Sequence, residues 1–179
     1  MKFSKKKLLS MAGQIKLLIL DVDGVLTDGS IILNGEGNEF KLFHVRDGHG
    51  IKMAIRSGIK VALITGRYSK VVKRRANELG IKEVFQKCRD KKAAYSRLAE
   101  KYFLDASEIA YVGDDVVDIP VMKTCGFSVA VADSDREIMP FAKMITKQSG
   151  GRGAVREVCD FILKAKGLWK DIIDEYSET

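Results

Sequence analysis

The stretch Ile15-Lys16-Leu17-Leu18-Ile19-Leu20-Asp21-Val22-Asp23-Gly24-Val25-Leu26-Thr27-Asp28-Gly29 decides how the rest of the chain is read. An apolar run of strand length ends by delivering two carboxylates two positions apart, and a glycine follows. Carboxylates are rarely set beside an apolar core without a partner. The glycine lets the chain leave the strand sharply and approach a ligand closely. The natural partner for two such carboxylates is a hard divalent cation, most simply Mg²⁺, and such a site suits phosphate chemistry.

Working outward, apolar runs recur with helical segments between them. Strands are expected at 15–20, Lys60–Thr65, Glu83–Gln86, Ile109–Gly113, Phe127–Val131 and Lys143–Thr146. Helices are expected from Asp47, as N-cap, to about Ser57, and over 68–79, 91–103 and 116–124. A C-terminal helix carries Val155, Val158, Cys159, Ile162 and Leu163 as one apolar stripe. Segments 30–34 and 39–45 flank Gly35-Glu36-Gly37-Asn38 and read as a hairpin. Alternating strands and helices imply an α/β fold, a Rossmann-like, doubly wound parallel sheet from which the hairpin protrudes. Ligands of such sheets sit outside the carboxyl ends of the strands.

The chain has 179 residues, two prolines and no low-complexity stretch, so one domain over 1–179 is expected, with the hairpin at about 30–45 and the C-terminal helix and tail at about 152–179. The net charge of +7 is scattered apart from Lys5-Lys6-Lys7 and Lys73-Arg74-Arg75. Aromatics do not interleave with it, so no nucleic-acid partner is expected, and part of the charge suits an anionic small molecule. The opening segment Met1–Gly13 has lysines before a few apolar residues, too few for a secretory signal, and reads as a short helical lead-in. No run reaches membrane-span length. Cys88, Cys125 and Cys159 are too widely spaced for a disulfide framework or a zinc site, which points to thiols in a reducing cytoplasm.

Four polar clusters follow strands or open helices. Asp21 and Asp23 form the first, as nucleophile with metal ligand and as general acid and base; the plain alternative is a pair of turn-forming aspartates. Thr65-Gly66-Arg67 offers a hydroxyl, a free amide and a guanidinium to phosphate oxygens, though Thr65 alone reads as a helix cap. Lys91 can neutralise a transferring phosphoryl group, though alone it reads as a solvated lysine. Gly113-Asp114-Asp115-Val116-Val117-Asp118 sets three carboxylates past a strand, where a capping role accounts for one of them.

In this order the four clusters resemble the motifs of the haloacid dehalogenase superfamily of phosphohydrolases, over residues 15 to about 132 and onward. The resemblance implies an aspartyl-phosphate on Asp21, a Mg²⁺ ion held by Asp21, the Asp23 carbonyl and Asp114, and catalytic roles for Asp21, Asp23, Thr65 and Lys91. The intervals from Asp23 to Thr65 and from Thr65 to Lys91 leave no room for a cap domain, so the chain is similar to the capless branch. The segments Val45-Arg46-Asp47-Gly48 and Gly150-Gly151-Arg152-Gly153-Ala154-Val155-Arg156-Glu157-Val158 extend this likeness to members acting on sugar acid phosphates of lipopolysaccharide synthesis.

That likeness implies a sugar acid phosphate held by Asp23, His44, Val45, Arg46, Asp47, Gly48, Lys52, Gly66, Arg67, Arg75 and Lys91. It also implies a homotetramer whose hairpins meet through Ile31, Ile32, Leu33, Phe40, Leu42 and Phe43. The chain has Val117 where that branch often has Asn, and Arg152 has no assigned role. A phosphatase of another eight- or nine-carbon sugar acid phosphate remains an alternative. A phospho-receiver signalling domain shares the residue types, but Thr65 and Lys91 precede Asp114 here, which is not its order.

Overall fold

The computed structural model describes residues 3–178 of the chain. A short lead-in helix α1 (Lys5–Ala12) is capped by the Ser4 hydroxyl; Met1 and Lys2 of the expected lead-in, and Thr179 of the tail, lie outside the described residues. Then come β1 (Leu17–Leu20), β2 (Ile32–Leu33), β3 (Glu39–Phe40), α2 (Val45–Arg56), β4 (Lys60–Ile64), α3 (Lys70–Leu79), β5 (Glu83–Phe85) and α4 (Lys91–Tyr102). The chain ends with β6 (Ile109–Gly113), α5 (Ile119–Met122), β7 (Phe127–Ala130), β8 (Met144–Ile145), α6 (Ala154–Ala165) and α7 (Trp169–Ser177).

Six strands form one parallel sheet in the order β5-β4-β1-β6-β7-β8. All four residues of β1 are fully buried. Leu18 and Leu20 join the core beneath α2, α3 and α6, while Leu17 and Ile19 join the core beneath α4 and α5. A central parallel strand covered on both faces therefore reads as an unbroken apolar run. Because β1 is central, the chain leaving it at Asp21 is flanked by the ends of β4 and β6. That topology gathers the clusters after three strands at one edge of the sheet.

Three expectations about helices are corrected. Asp47 does not cap α2; it lies within the first turn of that helix, after His44 at the N-cap. Its buried carboxylate instead accepts from the amides of Gly153 (3.3 Å) and Arg156 (2.7 Å), and so caps α6. The helix expected over 116–124 is a 3₁₀ turn at Val116–Asp118 followed by the short α5. The Asp118 carboxylate folds back onto the amides of Asp114 and Asp115, which tightens that first turn. The helix expected from 68 starts at Lys70, where the Ser69 side chain accepts from Val72.

The hairpin strands are also shorter than expected, with Ile32 opposite Phe40 and Leu33 opposite Glu39. Among the described residues no third strand joins them, and an isolated two-stranded ribbon is marginal in water. Within 39–43, Glu39, Lys41 and Phe43 turn inward while Phe40 and Leu42 are exposed. Phe43 packs against the main core of its own domain, so the hairpin's apolar residues divide between the domain and solvent. The apolar stripe of α6 is buried as expected.

Candidate active site

Asp21 follows β1, Thr65 follows β4, Asp114 follows β6, and Lys91 opens α4. Together with Asp23, Gly66 and Arg67 they line one cleft of about 360 Å³. One oxygen each from Asp21, Asp114 and Asp118 lies within 4.8 Å of the others.

Lys91 is the hinge of this cluster. Its ammonium lies 2.8 Å from Asp21 Oδ2 and 2.7 Å from Asp118 Oδ1, and it is nearly enclosed. Burial alone would lower its pKa, but the two carboxylates outweigh that and hold it above the ordinary lysine value. Asp118 is saturated: Oδ1 also accepts from the buried Tyr111 hydroxyl at 2.6 Å, and Oδ2 accepts the two amides that shape its own turn. Both of its oxygens are thus engaged within the protein, one of them by the Lys91 ammonium. Asp115 is exposed and accepts from Val116.

Asp114 is the opposite case. Its Oδ1 is buried with no hydrogen-bond partner among the described residues. Burial, then repulsion from Asp21 and Asp118, push its pKa up to about 8. Burial likewise lifts Asp21 to about 6, against the pull of Lys91. Two neighbouring acids held so reluctantly ionised, one of them with an unpartnered buried oxygen, form a donor set that fits a hard divalent cation. Gly24 makes room for the Asp114 carboxylate: its φ is +90°, and a Cβ there would stand 2.0 Å from Asp114 Oδ2. Only glycine suits both conditions.

Asp23 is held at both oxygens. The Thr65 hydroxyl donates to Oδ2 at 3.2 Å, and Lys41, from the hairpin, pairs with Oδ1. The Arg67 amide donates to the Thr65 oxygen at 3.2 Å, which fixes the rotamer. Arg67 itself reaches Glu39 at 3.1 Å. Lys41 and Glu39 were not singled out in the sequence. The signal was the alternation of Glu-Phe-Lys-Leu-Phe at 39–43, which sets Glu39 and Lys41 on one face.

The remaining residues expected at the substrate are not brought to this cleft within one copy. His44 and Arg46 line a separate basic cavity of about 480 Å³ with Arg152 and Arg156. Val45 and Lys52 are exposed on α2. Asp47 and Gly48 are buried, the former capping α6, and Arg75 stacks over the Phe43 ring beside Gly48. Arg152 pairs with Asp28 at 3.4 Å, which gives it a place without a part in the cleft. Val117 lines the cleft as an exposed apolar group.

Residues 78–158 match the haloacid dehalogenase-like hydrolase family. The chain is 51% identical over 159 residues to the 3-deoxy-D-manno-octulosonate 8-phosphate phosphatase of Escherichia coli K12, covering 89% of this chain and 85% of that protein. It superposes on the crystal structure of the Yersinia pestis phosphatase of the same name with a TM-score of 0.90 and 48% identity, over 91% of this chain and 88% of the other. It also matches the Moraxella catarrhalis phosphatase, solved in complex with magnesium, phosphate and 3-deoxy-D-manno-octulosonate, with a TM-score of 0.95 and 42% identity over 97% and 99% of the two chains. With identity spread over most of its length and the four acidic and basic clusters meeting at one sheet edge, the chain belongs to the haloacid dehalogenase-like hydrolases, in the family of the 3-deoxy-D-manno-octulosonate 8-phosphate phosphatases.

Proposed function

We propose that this chain, acting as one catalytic domain, is a Mg²⁺-dependent phosphatase that hydrolyses 3-deoxy-D-manno-octulosonate 8-phosphate to the free sugar acid and phosphate. The observation that carries this reading is the convergence of Asp21, Lys91 and Asp114, with the buried Asp114 Oδ1 left without a partner among the described residues. Asp21, Asp114 and the Asp23 carbonyl would hold the ion. Magnesium, when bound, removes the repulsion between an anionic nucleophile and an anionic ester.

The protein groups divide the work. Asp21 attacks phosphorus in line, its new O–P bond forming as the bond to the sugar oxygen breaks. Asp23 gives its proton to that oxygen, and as a carboxylate it takes a proton from the water that opens the aspartyl-phosphate. Lys91 and the Thr65-Gly66-Arg67 turn supply positive charge and donors to the remaining phosphate oxygens. Asp118 and Tyr111 keep the Lys91 ammonium aimed at Asp21.

The exposed Ile31, Leu33, Phe40 and Leu42 support assembly into a homotetramer through the hairpins. His44, Val45, Arg46 and Lys52, remote from the cleft of their own copy, would then serve a neighbour's substrate. Among the described residues no helix is long and apolar enough to cross a membrane, and Cys88, Cys125 and Cys159 are free thiols, which favours a cytoplasmic setting.

Phosphate release from a panel of eight- and nine-carbon sugar acid phosphates, with and without Mg²⁺, tests the reading. The expected result is Mg²⁺-dependent turnover with the octulosonate 8-phosphate preferred. Preference for a nonulosonate 9-phosphate would move the substrate assignment, and absence of turnover on every ester would remove the enzyme reading.

A further inference from the structure

The hairpin carries a run of charge back over the cleft. The Lys41 side chain is only 1% exposed, and its ammonium pairs with Asp23 Oδ1. Glu39 Oε1 lies 3.3 Å from the same ammonium and 3.1 Å from Arg67 Nη2. A lysine this enclosed is costly unless its charge is matched. Here two carboxylates match it, and one of them belongs to the cleft. The inward side of segment 39–43, Phe43 apart, is thus charged and directed at Asp23 and the Arg67 turn.

We infer that Lys41 is a positioning residue for Asp23: by occupying Oδ1 it fixes the rotation of the carboxylate and leaves Oδ2 to exchange the proton with the leaving group. The inference rests on the general acid and base role given to Asp23 above. The two oxygens are held by unlike partners. The Thr65 hydroxyl on Oδ2 can turn to a phosphate oxygen when substrate arrives, which frees Oδ2. Lys41 on Oδ1 is enclosed and tied to Glu39, so that side of the carboxylate stays anchored. In the first step the P–O bond to the sugar breaks, its electron pair goes to the sugar oxygen, and the proton on Oδ2 passes to that oxygen as the Asp21–phosphorus bond forms. In the second step Oδ2 recovers a proton from water as the water oxygen bonds to phosphorus and Asp21 leaves.

The test compares full-length Lys41→Met and Lys41→Arg enzymes on two esters at saturating Mg²⁺. One is 3-deoxy-D-manno-octulosonate 8-phosphate, an alkyl ester whose leaving oxygen needs a proton. The other is p-nitrophenyl phosphate, whose phenolate leaves without one. General acid assistance contributes about 10²–10⁴-fold, so Lys41→Met is expected to lose at least about 10-fold more kcat on the alkyl ester than on the aryl ester. KM for the alkyl ester should change by less than about 3-fold, because substrate binding is not what Lys41 supplies. Lys41→Arg should recover most of the lost ratio. Both esters are read on the same sample, so the ratio does not depend on the folded fraction. Equal losses on the two esters, or a rise in KM alone, overturn the inference. So does failure of Lys41→Met to fold, since stability then accounts for the lysine. Asp23→Asn separates the two layers: if it shows no alkyl-selective loss, the role of Asp23 fails, and if it does while Lys41→Met does not, only the role of Lys41 fails.

Discussion

In the proposed mechanism Asp21 carries two demands at once, a nucleophile's charge and a metal ligand's oxygen, and burial makes its ionised form expensive to keep. Replacing it by Asn keeps the shape and removes the charge, while Lys91 retains Asp118 as partner. Asp21→Asn should therefore fold with a normal thermal transition yet release phosphate at least about 10³-fold more slowly, the scale of losing a nucleophile. Near-normal release would refute the assignment. The raised acids give a second expectation. Asp21 and Asp114 stand at about 6 and about 8 against an ordinary value of 3.8, so the folded state without metal holds protons that the unfolded chain has released. Stability of the metal-free protein should then fall as pH rises from about 4 toward about 8. Binding of Mg²⁺ to the ionised acids should reverse this, so the rise in Tm on adding Mg²⁺ should be larger at pH 8 than at pH 5. Differential scanning fluorimetry at the two pH values checks it, and an equal or smaller rise at pH 8 counts against Asp114 as a ligand.

Helix α6 is fastened at its N-terminus by a residue from another helix. The Asp47 carboxylate accepts two of the amides that the first turn of α6 leaves without intrahelical partners. Burial raises its pKa even so, ahead of the lowering effect of those amides. Asp47→Ala removes a buried cap and should cost about 2 kcal/mol, at the upper end for caps. Urea unfolding measures it, and a change below about 0.5 kcal/mol would show that the amides find other partners. This long-range cap also marks where the sequence stops being legible. Asp47 has the composition and position of a local N-cap, and nothing in its neighbourhood says that Gly153, 106 residues away, competes for it. The strands were readable because burial on both faces leaves an apolar run, as in Leu17–Leu20. The four clusters were readable because each follows a strand or opens a helix. Lys41 was not read because it lies on a hairpin outside the sheet, where strand-end reasoning gives no weight to a lysine. The roles of Asp115 and Asp118 needed coordinates, since only the fold shows that Asp118 is used up by Lys91, Tyr111 and two amides.

For the molecule as a whole, the hairpin that reaches the cleft through Lys41 exposes several large apolar groups. Ile31, Leu33, Phe40 and Leu42 are each more than half exposed. Exposed apolar groups of this kind, on a hairpin whose strands pair with no third strand among the described residues, would promote disordered association unless a defined contact covers them. Closed symmetry is the ordinary way to cover such groups without open-ended growth. The decisive substitutions keep the inward face intact, so that assembly can be varied without touching Lys41 or Glu39. Phe40→Asp with Leu42→Asp places like charges on the face away from Glu39 and Lys41 only. Sedimentation velocity of the double variant should give a smaller species than the parent protein. Its activity on the sugar acid phosphate should fall through KM, because His44, Arg46 and Lys52 would no longer face a neighbouring cleft. Its activity on p-nitrophenyl phosphate, which has no sugar acid to hold, should fall less. An unchanged sedimentation coefficient would remove the hairpin as the contact, and a dissociated variant with unchanged KM would mean that each cleft binds its substrate alone.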